Sequence, residues 1–300
     1  MTLSRDTGTS TYCCTPWAYR RPRLLAQLSF SRPQKHLLYM FFWIFFSPFS
    51  CSVFAQFKPE EMMKPYAYAN KLGEVLKCQL WAPQYPTPGK KYPLILFLHG
   101  SGECGKDNEM QTRVGLPSLL KQLVLQPEPV IVLAPQCQTG NWWVKNLAMQ
   151  PDYRAAKEPT ASLDMALELC RHLVQSKQAD PNRLYITGLS LGGFGAWDAI
   201  QRDPSFFAAA VPICGGGDTR FARELKSLPI QVFHGRDDKN VHPDCSRRMV
   251  RAIDDVGGNI IYTEYENSAH AIWDKAYSDK NLIPWLLKQT RIQKPWWKFW

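Results

Sequence analysis

Four runs of this 300-residue chain, YPLILFLHG (92–100), PVIVLAP (129–135), RLYITG (183–188) and PIQVFHG (229–235), are apolar almost without interruption, and most end at a turn residue. A strand with one face in water alternates apolar and polar residues. A nearly unbroken run needs apolar cover on both faces, which points to parallel strands sandwiched between helices. The stretches between the runs supply such helices. VGLPSLLKQLVLQ, TASLDMALELCRHLVQSKQ with a Thr or Ser cap, SLGGFGAWDAIQRD and DCSRRMVRAIDDVG carry helical spacing, and a last helix is expected around LIPWLLKQ. EVLKCQLWAP, FAAAVPICGGG and NIIYTEYE add further strands. Regular alternation of the two element types predicts an α/β fold built on a mainly parallel sheet flanked by helices. The apolar fraction of 45% is ample for one large core, and composition does not break after residue 56, so residues 56–290 read as a single domain.

The two ends differ from this body. Residues 1–55 carry six basic residues against one acid, Asp6, and four more cations, Lys288, Arg291, Lys294 and Lys298, cluster at the far end. The formal net charge of +10 therefore resides mostly at the termini. A near-neutral body argues against nucleic acid as a partner. The first 55 residues are organised as an export signal: basic residues up to Lys35, the apolar stretch HLLYMFFWIFFSPFS, then Val53 and Ala55 as the small residues before a cleavage point at Gln56. The expectation is an exported protein, periplasmic or secreted. Pro48 and the shortness of the stretch disfavour a spanning helix. The terminal RIQKPWWKFW, residues 291–300, interleaves cations with aromatic rings, a composition suited to weak contact with an anionic membrane surface.

Six cysteines follow the leader: Cys78, Cys104, Cys137, Cys170, Cys214 and Cys245. They permit fifteen pairings among which sequence cannot choose. Cys170 sits inside a helical pattern and reads as a buried thiol. No pair has the C-x-x-C spacing of a zinc or redox site, so neither a metal nor a cofactor is expected.

The sharpest signal is YITGLSLGGFGAW, residues 185–197. Gly188, Ser190 and Gly192 form G-x-S-x-G between an expected strand and an expected helix, the context of a nucleophile elbow. So short a motif recurs by chance, and only the strand before it and the helix after it give it weight. Glycines free the tight turn of clashes, so the serine hydroxyl can project over the end of the sheet. A serine hydroxyl needs a base to remove its proton and an acid to orient that base. VFHGRDDKNVHP supplies Asp237 and Asp238 at the end of a later strand, and YENSAHAIW supplies His270 after the last one. Asp238 is preferred as the fifth residue of an HGxxD turn; Asp237 is then a solvated neighbour. His242 reads as a surface residue, and His99 and His234 as supports of their HG turns. Donors to a tetrahedral oxyanion fall to the backbone N–H groups of Leu191 and, in FLHGSGECG, of Ser101. This glycine-rich loop lacks the lysine and Ser/Thr spacing of a phosphate-binding loop. Trp142, Trp143 and Trp273 are candidates to line a substrate pocket, with core packing as the equal alternative. Glu103 and Asp218 are candidate polar contacts.

The segments LILFLHGSGECGKDN, VLAPQC with Trp142 and Trp143 after it, ITGLSLGGFGAW, PICGGGD, VFHGRDD and YTEYENSAHAIWDKAYSDKNLIPWLL together resemble the phospholipase/carboxylesterase-like α/β-hydrolases. That group is akin to dienelactone hydrolases, feruloyl esterases and polyhydroxybutyrate depolymerases, and the likeness covers nearly all of residues 60–290. It implies an α/β-hydrolase fold with little or no cap, with Ser190 as nucleophile, Asp238 as acid and His270 as base. One departure stands out: relatives often carry Arg after the loop glutamate, where this chain has Cys104. The resulting expectation is a serine carboxylic-ester hydrolase acting on a small or carbohydrate-linked ester. A peptidase of prolyl-oligopeptidase type is the alternative, disfavoured because residues 56–300 leave no room for a large gating domain. A binding protein on a hydrolase fold is disfavoured because all three triad positions are filled.

Overall fold

A computed structural model describes residues 62–145 and 150–291. The expected leader and the tail beyond Arg291 lie outside these residues. Eight strands form one sheet: β1 (Lys64–Ala69), β2 (Val75–Trp81), β3 (Tyr92–Leu98), β4 (Ile131–Pro135), β5 (Ala179–Leu189), β6 (Ala209–Ile213), β7 (Ile230–Gly235) and β8 (Ile260–Tyr265). Their order is β1-β2-β4-β3-β5-β6-β7-β8. β1 and β2 pair antiparallel with each other, β2 pairs antiparallel with β4, and every other pairing is parallel. The helices are α1 (Leu116–Leu123), α2 (Ala161–Gln175), α3 (Leu191–Arg202), α4 (Asp244–Asp255), α5 (Trp273–Tyr277) and α6 (Leu282–Lys288).

β3 shows why the apolar runs are unbroken. Leu94, Leu96 and Leu98 face a core filled by α2, α3 and α4, whereas Ile95 and Phe97 face a second core with α1, α5 and α6. Both faces are dry, and each such leucine contributes about 1.5–3 kcal/mol through its burial. The Thr160 hydroxyl caps α2 by accepting the Leu163 N–H at 3.2 Å. Among the described residues no insertion builds a separate cap, and no helix is long and apolar enough to cross a membrane. Two elements were not anticipated from sequence. β1, KPYAYA, is a half-exposed edge strand, and α5, WDKAY, is too short to show helical periodicity. The parallel strands all run the same way, so the loops after β3, β5, β7 and β8 gather at one end of the sheet.

Candidate active site

The turn between β5 and α3 consists of one residue, Ser190, with φ 53° and ψ −117°. This backbone conformation costs about 1–3 kcal/mol for a residue with a side chain and persists only where its surroundings impose it. Here they do. The Ser190 N–H donates to Ile213 O at 2.9 Å, and Ser190 O accepts the Phe194 N–H at 3.1 Å. A Cβ on Gly188 would strike Gly192 O, and one on Gly192 would strike Leu98 O, so the turn closes against both itself and β3 only because both positions are glycine.

His270, in the loop after β8, reaches Ser190 Oγ through Nε2 at 2.8 Å and Asp238 Oδ2 through Nδ1 at 2.6 Å. Asp238 is buried in the loop after β7. Its Oδ1 accepts the N–H groups of Asn240 and Val241, at 2.9 and 3.0 Å. Its Oδ2 also accepts from His234 Nε2 at 3.1 Å. Burial pushes the Asp238 carboxyl up, but the hydrogen bonds from His234, His270 and Val241 outweigh it and hold the group well below the usual carboxylate range. A carboxylate only accepts, so His270 Nδ1 carries the proton and the Nε2 lone pair faces the Ser190 hydroxyl. The arrangement can therefore remove the serine proton and stabilise the imidazolium that results. The acid and base loops are tied together: the Asp237 N–H donates to Ser268 O and the Arg236 N–H to Tyr265 O, both at 2.9 Å. Asp237 itself is exposed, as is His242.

The loop after β3 lies against the serine turn, since a Cβ on Gly100 would sit 2.9 Å from Leu189 Cδ1. Neither the Ser101 nor the Leu191 N–H makes a hydrogen bond among the described residues, which leaves both free to meet developing negative charge. His99 braces this loop from beneath. Its Nδ1–H donates to Gly100 O at 2.6 Å and its Nε2 accepts the Cys137 N–H at 3.0 Å. Burial lowers its pKa to about 4, which fits the neutral tautomer this pattern requires.

The other candidates separate clearly. Trp143 is fully buried, and its Nε1–H donates to His99 O at 3.0 Å, the placement of the packing alternative. Trp142 is 40% exposed. Trp273 stands edge-on to His270, with centroids 5.5 Å apart, and so borders the site. Glu103 is buried rather than free for solvent; desolvation raises its pKa, offset in part by backbone hydrogen bonds at Gly100 and Glu103. Asp218 is also buried and accepts from Arg154, Arg220 and the Ala155 N–H, so it holds loops together rather than contacting substrate. Sequence reasoning understated His234. It supports its turn, as expected, but it also binds the same oxygen as His270, with Nδ1 2.7 Å from Ser246 Oγ. The spacing of four residues in HGxxD carried that signal. Cys214, His234 and Asp238 bring donor atoms within 4.8 Å of one another, but both Asp238 oxygens are already engaged by N–H donors, so the trio is poorly suited to hold a metal.

The prolyl oligopeptidase family matches residues 157–232, the segment that contains the serine turn. No curated protein matches the chain. Among solved structures, a thermostable esterase is 36% identical with a TM-score of 0.69, covering 77% of this chain; the chain spans 64% of that esterase. A ferulic acid esterase is 17% identical with a TM-score of 0.59, over 75% of this chain and 98% of its own. An acylaminoacyl peptidase of Pyrococcus horikoshii is 17% identical with a TM-score of 0.57, over 83% of this chain and 45% of its own. Sheet order, serine turn and these likenesses together give the chain an α/β-hydrolase fold, similar to structures described as esterases and peptidases.

Proposed function

We propose that the protein is a serine hydrolase that cleaves carboxylic esters through an acyl-enzyme. The observation that carries this reading is the unbroken line Ser190 Oγ, His270 Nε2, His270 Nδ1, Asp238 Oδ2, with steps of 2.8 and 2.6 Å between residues. Ser190 Oγ attacks the carbonyl carbon while His270 Nε2 takes the hydroxyl proton. Asp238 stabilises the imidazolium. The oxyanion faces the N–H groups of Ser101 and Leu191. Collapse expels the alcohol, which takes the proton from His270. Water then adds to the acyl-Ser190 ester, with His270 again as base, and the acid leaves.

The substrate proposed is a small or carbohydrate-linked ester. The 36% identical structure described as an esterase supports an ester as the substrate class. The prolyl oligopeptidase match over residues 157–232 supports the second reading, a peptidase. Hydrolysis of p-nitrophenyl acetate against that of a prolyl anilide distinguishes them, and silence on both would leave a binding protein. A panel from acetate to octanoate esters with feruloyl esters then defines the acyl group. We also propose export through the leader of residues 1–55, and weak contact of the 291–300 tail with anionic membranes. Deleting residues 292–300 should reduce sedimentation with anionic vesicles; equal binding with and without the tail would reject that contact.

A further inference from the structure

The loop that carries Ser101 runs beside the chain leaving β4. The Gly105 N–H donates to Cys137 O at 2.9 Å, and Gln136 Nε2 donates to Glu103 O at 3.1 Å, so residues 103–105 and 136–137 lie side by side. Hydrogen-bonded neighbouring segments are about 5 Å apart, inside the separation of about 4.4–6.8 Å between Cα atoms that a disulfide spans. The two cysteines at this contact, Cys104 and Cys137, are both thiols in the structure. They are unlike. Cys104 is half-exposed, its Sγ 3.8 Å from Asn141 O, and Cys137 is fully buried. The neighbouring Cys137 side chain lowers the Cys104 pKa, whereas burial pushes the Cys137 thiol far up.

We propose that Cys104 and Cys137 form a disulfide that staples the Ser101 loop to the end of β4. The asymmetry of the pair sets the order of steps. Cys104, as thiolate, attacks one sulfur of a small-molecule or protein disulfide, forming a mixed disulfide and releasing the first thiolate. Cys137 attacks the Cys104 sulfur as its proton passes to the departing sulfur, releasing the second thiol. The cysteine pair gives up two protons and two electrons, and the oxidant becomes two thiols. Bond formation does not depend on the hydrolase reading; only its consequence, a fixed Ser101 N–H, rests on that reading.

The test uses the full chain equilibrated with an excess of glutathione disulfide over glutathione, then digested without reductant. The expected product is a joined peptide pair containing Cys104 and Cys137, two hydrogens lighter than its thiol parts, that separates on reduction. In the Cys104→Ser variant, Cys137 should be alkylated after denaturation. Reductant should lower the melting temperature of the wild type by roughly 5–15 °C, as removal of a disulfide does in a domain of this size. It should leave the variant nearly unmoved. Alkylation of both cysteines in the wild type, a joined peptide with some other partner, or an equal shift in both proteins would overturn the proposal. Hydrolysis enters none of these readouts, so failure here is distinct from failure of the functional reading.

Discussion

Asp238→Asn is the substitution whose outcome the geometry specifies most fully. The amide replaces one acceptor oxygen by an NH2 donor, and the site decides which. If the NH2 takes the Oδ1 position, it opposes the N–H groups of Asn240 and Val241, which now sit at 2.9 and 3.0 Å from an acceptor. The buried Val241 N–H would lose its partner at about 1–3 kcal/mol, and the more exposed Asn240 N–H at less. The other orientation keeps both bonds and turns the NH2 toward His270 Nδ1, now 2.6 Å from Oδ2; it gives up the bond from His234 Nε2, whose N–H retains Val241 O at 3.0 Å. His270 must then accept at Nδ1 and carry its proton on Nε2, facing Ser190 Oγ with a donor where a base is required. The variant is thus driven into the inactive tautomer while its fold is kept. The expected loss is about 10³–10⁴ in kcat, equivalent to about 4–5.5 kcal/mol of barrier. Asp237→Asn, at an exposed position, should stay within about threefold of wild type, as surface changes usually do. Initial rates on p-nitrophenyl acetate, with far-ultraviolet circular dichroism to verify folding, make the comparison. A folded Asp238→Asn enzyme within tenfold of wild type, or a larger loss from Asp237→Asn, would refute the reasoning.

Ser190→Ala and His270→Ala should each remove nearly all turnover, and the double variant should be no worse, because the two act as one unit; additive losses would contradict this. Gly192→Ala should cost at least about 3 kcal/mol in denaturant unfolding, or abolish soluble protein, since its methyl group would meet Leu98 O; a normal midpoint would show that the turn yields. Asp218 is raised by burial but pulled down more by Arg220 and the Ala155 N–H, to about 2. Its folded value lies below the unfolded value of about 3.9, so its stabilisation is full above that pH and is lost as pH falls toward 2. Asp218→Asn should flatten the fall of the denaturation midpoint between pH 4 and 2, and parallel curves would reject this role.

The sequence was legible wherever a physical demand left few alternatives. A run such as YPLILFLHG must be covered on both sides, and β3 is. A serine between Gly188 and Gly192 at a strand end had to turn sharply, and Ser190 adopts φ 53°. Asp238 was chosen over Asp237 by its place in the turn, and burial separates the two in the same way. Illegible were features fixed by contacts distant in sequence. Nothing in QTGNWWV distinguishes Trp142 from Trp143; the second is buried by partners distant in sequence, among them His99, 44 residues earlier, and the Gly195 turn of α3. Glu103 and Asp218 read as candidate substrate contacts because the partners that bury them, backbone N–H groups and arginines, carry no sequence signature. β1 escaped notice because its pattern, with Tyr66 and Tyr68 alternating, is no stronger than that of an ordinary loop.

His270 follows β8, an edge strand that among the described residues pairs on one side only and is half-exposed along most of its length. Ser190, by contrast, follows β5, fully buried where it ends at the middle of the sheet. The proposed nucleophile and its proposed base therefore belong to regions of unequal durability. Opening of the last strand carries the imidazole away while the centre of the molecule stays folded, and such edge openings require less free energy than global unfolding. Heat should thus silence the enzyme reversibly some degrees before it melts, and a partner or ligand that covers the β8 edge would raise the temperature at which activity is lost.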